Sequence, residues 1–187
     1  MKKENDLEKT LSVLKERLNL IEDYYNPDEL NLHFENLKYA DSALFEALLS
    51  IGQDAWKIIQ NNPSRKTLHV FYDFFQLISR GSGRILSDNN QKYISEDVVA
   101  RLALLLSEIS QLTYAPDFEG DITQRNWEAL VNILLAFGNI RKIFLTRVKE
   151  LNNKELINRA KSAINYVKQF EKNDNTVGSY QNKSEET

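Results

Sequence analysis

The feature that most constrains this fold is an apolar seam near the N-terminus. Apolar side chains recur there at alternating spacings of four and three residues, and most positions between them are charged or polar. Heptad spacing places these side chains on one face of a helix, which must pack on its own chain or on a second copy. The seam comprises Leu7, Leu11, Leu14, Leu18, Ile21 and Tyr25.

Helical spacing of apolar residues continues along the chain as far as residue 172. The last such stripe includes Val167 and Phe170, and no segment alternates apolar and polar residues over a convincing length. Short connections between long helices favour antiparallel neighbours. We therefore expect an all-α fold, an antiparallel up-and-down helical bundle of five to six helices. We expect residues 1–172 to form this single domain and residues 173–187 to form a disordered polar tail.

Composition restricts the compartment and the kinds of site. The chain has 187 residues and no cysteine, so it is long enough to bury a core without a staple, and thiolate sites are excluded. Its N-terminus is charged, without an apolar stretch, and its most apolar runs are shorter than the ~20 residues that span a bilayer. These features predict a cytoplasmic protein with no membrane contact.

A glycine-rich stretch, Arg-Gly-Ser-Gly-Arg at residues 80–84, is the nearest approach to a chemical signature. A phosphate-binding loop needs a preceding strand and a Gly-Lys-Ser/Thr ending, and this stretch has neither. We interpret it as a helix stop, with Gly81 as a left-handed cap. Arg80 and Arg84 remain candidates for contact with an anion, because guanidinium groups pair well with phosphate oxygens.

Metal and cofactor sites are not expected. His33 and His69 each have a carboxylate four residues away, but a helix-surface ion pair explains this spacing more simply than a zinc site. The acidic segment 117–128 matches part of a calcium-binding loop, but its glycine comes two positions early. No nucleophile can be tied to either histidine, so the sequence predicts no catalytic residue.

One polar position interrupts the apolar pattern. Asp41 stands where helical spacing expects an apolar side chain. A carboxylate inside a bundle, paired with a second one such as Asp54, is the only support for an enzyme or ligand-binding bundle. This is the third hypothesis for function.

Two sets of residues are candidates for contact with a protein partner. The first is the apolar seam, through Leu7, Leu11, Leu14 and Leu18. The second is the acidic loop 113–121, whose Tyr114 and Phe118 are either anchors for a partner or packed on the end of the bundle. A partner protein or a homo-oligomer is expected in either case.

A basic hairpin at residues 138–172 supplies the alternative. It carries nine basic and three acidic side chains in a protein whose net charge is −3. Such a surface binds nucleic-acid phosphates, an acidic protein, or the acidic segments 27–62 and 96–121 of its own chain. The candidate nucleic-acid contacts are Arg80, Arg84, Arg141, Lys142, Arg147 and Lys149.

The predicted function is that of a non-enzymatic helical-bundle protein that acts through protein–protein contacts, as an adaptor, assembly subunit or regulator of a larger complex. The alternative is a nucleic-acid-binding accessory subunit that uses the basic hairpin.

Overall fold

The computed structural model describes residues 2–24, 37–61, 64–89, 91–112 and 120–181. In this part of the chain seven helices longer than one turn pack together and no strand occurs, which confirms the all-α class. The helices are α1 (Lys2–Tyr24), α2 (Leu37–Ile59), α3 (Val70–Asp88), α4 (Glu96–Ser110), α5 (Gly120–Ala136), α6 (Arg141–Glu150) and α7 (Lys154–Gln181).

The apolar seam of α1 packs on its own chain. Leu11, Leu14 and Leu18 are buried, and α1 contacts both α2 and α3. Burial of each such side chain stabilises the fold by roughly 1.5–3 kcal/mol before entropy is subtracted. Arg17 Nη1 donates to Asp54 Oδ2 at 3.0 Å, which links α1 to α2 beside the seam. The seam therefore packs on its own chain and not on a second copy. Leu11, Leu14 and Leu18 belong to the core of the monomer and are not on its surface.

The prediction of a helix stop at Gly81 is wrong. Helix α3 runs without interruption from Val70 to Asp88 through both glycines. It ends at Asn89, which has a left-handed conformation (φ 55°) and whose backbone N–H donates to the Ile85 carbonyl. A Cβ at Gly81 would lie 3.0 Å from Leu44 Cδ2, so this glycine permits a close approach of α2.

A second glycine, on α2, permits the close approach of α2 and α3. A Cβ at Gly52 of α2 would lie 2.5 Å from Phe74 Cζ and 2.8 Å from Leu105 Cδ2. Glycine inside a helix costs about 1 kcal/mol relative to alanine. The close packing of α2 against α3 and α4 offsets this cost, and α2 is continuous from Leu37 to Ile59.

The centre of the molecule is an aromatic core between α2, α3 and α5. The most extensive contact between helices joins α3 to α5, which are not consecutive in the chain. Phe71 and Phe75, four residues apart on α3, stack with ring centroids 5.8 Å apart. Phe45 of α2 meets Phe137 edge to face, with centroids 5.4 Å apart. Edge-to-face and offset rings add to the stabilisation from burial alone.

Helix α7 is longer than the sequence indicated. Its backbone continues to Gln181, whereas a disordered tail was expected from Asn173. A helix whose first turns are docked extends at little cost where no proline ends it, and this segment has none. Residues 182–187 of the expected tail lie outside the described part of the chain.

Candidate functional site

An open groove of about 420 Å³ lies between α3, α5 and α7. Its apolar lining includes three large aromatic side chains that are not fully buried: Trp127 of α5 and Tyr166 and Phe170 of α7. Tyr166 and Phe170 are 51% and 49% exposed. We call this site, with Arg80 and Arg125 that also line it, the aromatic groove.

The spacing of residues on α7 explains why two aromatic rings face outward. Leu156, Ala160 and Val167 form the buried stripe of this helix. Tyr166 and Phe170 are four residues apart and therefore share a face, which lies beside this stripe. The prediction that Phe170 closes the buried stripe is wrong, because the helix turns this side chain toward the groove.

The rings and guanidinium groups around the groove hold one another in place. The Trp127 and Tyr166 rings meet edge to face, with centroids 6.4 Å apart. The Arg159 guanidinium carbon lies 5.1 Å from the centroid of the Trp127 ring, and its Nη2 donates to Asn126 Oδ1 at 2.7 Å. Asn126 is fully buried and donates from Nδ2 to the Leu106 carbonyl at 2.9 Å. This network links α4, α5 and α7 beside Trp127.

The charged side chains among the described lining residues of the groove are two arginines and one glutamate, and the other polar ones are neutral. Arg80 is exposed, and the Arg125 guanidinium carbon lies 4.1 Å from the centroid of the Tyr72 ring. Glu128 is the one carboxylate among the lining residues, and its Oε1 accepts a hydrogen bond from Gln124 Nε2 at 2.9 Å. Aromatic rings beside guanidinium groups can bind apolar side chains and carboxylates together.

Two arginines of the basic hairpin form ion pairs with carboxylates of the same chain. Arg141 makes two hydrogen bonds to the Glu171 carboxylate, including Nη1 to Oε2 at 3.0 Å, and donates from Nε to the Leu134 carbonyl at 2.9 Å. Arg147 donates to Asp97 at the start of α4. The acidic segment 96–121 and the hairpin therefore complement each other at Asp97, one of the alternatives that the sequence left open.

Both ion pairs lower the pKa of their carboxyl group. The hydrogen bond and charge of Arg147 hold the pKa of Asp97 below its usual value, and those of Arg141 do the same to the pKa of Glu171. Burial has the opposite effect on Glu108 of α4, where it raises the pKa of the carboxyl.

The remaining cations of the predicted nucleic-acid set divide into two kinds. Lys142 and Lys149 are exposed on α6, and Arg80 is exposed in the aromatic groove. Arg84 is mostly buried, and its Nη2 lies 3.3 Å from Asp41 Oδ1. The structure therefore separates Arg80 from Arg84, which the sequence grouped as one anion contact.

The two carboxylates proposed for an enzyme site have separate cations. Asp41 is fully buried beside Arg84, and Asp54 accepts a hydrogen bond from Arg17. Asp41 thus occupies its core position as one half of an ion pair between α2 and α3. Among the described residues, no group of three or more His, Asp or Glu side chains comes close enough to hold a metal ion.

Several predicted contacts cannot be placed. Tyr114 and Phe118 of the acidic loop, and His33, lie outside the described residues. His69 is exposed, with its ring centroid 5.9 Å from that of Tyr72. Leu7 is half-buried against the core.

Sequence periodicity did not indicate the aromatic groove. Phe170 was expected in the apolar stripe of the last helix, and neither Trp127 nor Tyr166 was proposed as a site residue. The available signal was the spacing of Tyr166 and Phe170, four residues apart among polar neighbours.

Within the described residues, no single helix has the length and apolar composition to cross a membrane; the segments Ile122–Ala136 and Gly138–Glu150 reach that threshold only as a pair, bent by 102°. Comparison with known proteins gave no match to any protein family, curated protein or solved structure.

Proposed function

We propose that this is a non-enzymatic helical-bundle protein that acts by contact with another protein, as an adaptor, assembly subunit or regulator, and that the aromatic groove is the contact surface. The observation that carries the proposal is the half-exposure of Tyr166 and Phe170 beside Trp127. The up-and-down order of the helices, the disorder of residues 182–187 and the cytoplasmic location stay predictions.

Side-chain chemistry supports this surface. Tryptophan, tyrosine and arginine are enriched among the residues that dominate binding energy at protein interfaces. Covering the exposed half of each outer ring contributes about 1 kcal/mol of apolar burial. Trp127 and Arg159 are already held by packing and by the Asn126 network, so a partner orders few side chains when it binds.

Charge complementarity specifies the partner. The groove is lined by two arginines and one glutamate. A matching segment presents an apolar or aromatic side chain to Trp127, Tyr166 and Phe170, flanked by carboxylates that pair with Arg80 and Arg125. Rim charges of this kind act mainly on association rate and specificity.

Quantitative capture from lysate of the native host tests the proposal. The bait proteins are the wild type, a groove variant (Tyr166→Ala with Phe170→Ala) and a matched control (Leu20→Ala with Leu86→Ala), whose leucines are exposed hydrophobics of α1 and α3 outside the groove lining. We expect one partner to be retained by the wild type and the control and lost from the groove variant. Its affinity for the purified wild type should exceed that for the groove variant at least ~10-fold, since hot-spot truncations cost about 2 kcal/mol or more.

The charge of the partner is tested separately. Arg80→Glu should weaken binding of that partner more at low salt than at high salt, and Lys9→Glu, on the exposed face of α1, should not. A partner that binds the groove variant as tightly as the wild type contradicts the proposal. Sedimentation measures whether the wild type is a dimer. If it is, and the groove variant is a monomer, the partner is a second copy of the chain and not another protein.

A further inference from the structure

The outer side of α7 carries a row of lysines. Lys154, Lys161 and Lys168 are exposed and follow one another at intervals of seven residues, which places them on one face of the helix. Lys172 continues the row one turn later and is also exposed. At a rise of 1.5 Å per residue, the row is about 27 Å long.

The side chains between these lysines are neutral. Asn158, Ser162, Asn165 and Gln169 are exposed on the same outer side, and amide and hydroxyl groups donate hydrogen bonds to phosphate oxygens. Between Glu155 and Glu171 the helix has no carboxylate. Glu171 pairs with Arg141, so its negative charge is directed toward α6.

Helix α6, which packs against α7, adds two more exposed cations. Lys142 and Lys149 are also seven residues apart and share one face. The arginines of α6 differ from them, because Arg141 and Arg147 are held in ion pairs within the chain. We call the set Lys142, Lys149, Lys154, Lys161, Lys168 and Lys172 the lysine face.

We propose that the lysine face binds the phosphate backbone of a nucleic-acid duplex without reading its sequence. A net positive face on a chain of net charge −3 is an electrostatic footprint for a polyanion. Lysine ammonium groups bind phosphates as point charges, and the face has no arginine or aromatic side chain for base recognition. A helical row of about 27 Å is long enough to span most of one duplex turn of about 34 Å.

This surface is distinct from the aromatic groove. Tyr166 and Phe170 lie on the side of α7 that faces α3 and α5, and the lysines lie on the outer side. The two proposals therefore succeed or fail separately.

Fluorescence anisotropy with labelled duplexes tests the inference. The probes are a DNA duplex and an RNA duplex, each of about 24 base pairs, titrated with the full chain between about 25 and 200 mM KCl. We expect the logarithm of the association constant to fall linearly with the logarithm of salt concentration, with a slope of about −4 to −5 for five or so phosphate contacts. The two probes show whether DNA or RNA is bound more tightly.

Two triple variants locate the binding surface. Lys154→Gln, Lys161→Gln and Lys168→Gln together should reduce the magnitude of the slope by about 3 and weaken binding at low salt at least ~10-fold. The control, Lys9→Gln, Lys15→Gln and Lys92→Gln, removes the same charge from exposed lysines elsewhere and should leave the slope unchanged. Replacement of the three α7 lysines by arginine keeps the charge and should keep binding.

Three results would overturn the inference. The first is no binding to either duplex at about 25 mM KCl, where phosphate contacts are strongest. The second is an equal loss in the two glutamine triples, which would indicate net charge rather than a surface. The third is binding to phosphatidylserine vesicles without binding to either duplex, which would assign the lysine face to an anionic membrane surface.

Discussion

Arg84 Nη2 lies 3.3 Å from Asp41 Oδ1, and the Asp41 side chain is completely buried between α2 and α3. A charged pair in this position gives little net stability, because desolvation of both groups offsets their attraction. Removing only one partner is costly, since the other charge stays in a medium of low dielectric constant. A substitution that removes only one of these two charges should therefore destabilise the packing of α2 on α3.

Arg84→Met should lower the free energy of unfolding by about 3–5 kcal/mol, because it removes the positive charge that faces the buried Asp41 carboxylate. Asp41→Leu combined with Arg84→Met should cost far less, since both charges are removed. Urea denaturation of the wild type, the single variant and the double variant measures this difference. An Arg84→Met protein within about 1 kcal/mol of the wild type would show that the pair is not a coupled unit.

Alanine substitution should have opposite effects at Gly52 of α2 and Gly83 of α3. Gly52→Ala should destabilise the fold by about 1–3 kcal/mol, because its Cβ meets Phe74 and Phe74 is itself packed between Phe71 and Phe75. Gly83→Ala should stabilise it by about 0.5–1 kcal/mol, since the new Cβ meets no described atom within 4 Å apart from its chain neighbours and the backbone of its own helix, and alanine favours the helix. Thermal and urea unfolding check both signs, and a stabilised Gly52→Ala protein would contradict the packing described for this crossing.

Glu108→Gln should stabilise the protein at neutral pH. Burial raises the pKa of Glu108 in the folded state above its usual value of 4.5, so the ionised carboxylate opposes folding. That penalty is present above the folded pKa and disappears as pH falls toward 4.5, where both states become protonated. The gain from Glu108→Gln should therefore be largest at neutral pH and shrink in acid. Denaturation curves at several pH values test this prediction. The control is Glu46→Gln, at an exposed site on α2. A gain in the free energy of unfolding that is constant with pH would exclude the titration of Glu108 as its cause.

Local periodicity was enough to predict helices and much of the core. The seam of Leu11, Leu14 and Leu18 is recognisable because helix geometry repeats every 3.6 residues, whatever the helix packs on. Gly81 was misread because its role depends on Leu44, a residue that is distant in sequence and close in space. A glycine after arginine looks the same in sequence at a helix end and at a helix crossing.

The two candidate surfaces, the aromatic groove and the lysine face, could not be identified from local periodicity for a similar reason. Val167 and Phe170 both continue the stripe of α7 in sequence, and only the positions of α3 and α5 determine that Val167 is buried and Phe170 is half-exposed. The alternation of acidic and basic segments predicted that helices complement one another. It did not specify that Arg141 pairs with Glu171 and Arg147 with Asp97.

Site-specific photo-crosslinking tests directly whether the aromatic groove binds a protein partner. A photoreactive phenylalanine analogue replaces Phe170 in the aromatic groove or, as the matched control, Leu86, which is equally exposed on α3 (50% against 49%) but does not line the groove. Proteins are irradiated in cells of the native host, and crosslinked peptides are sequenced. We predict a specific protein adduct from position 170 and none from position 86, with the crosslinked peptide carrying acidic residues. Equal labelling from both positions, or none from position 170, would contradict a protein-binding role for the groove.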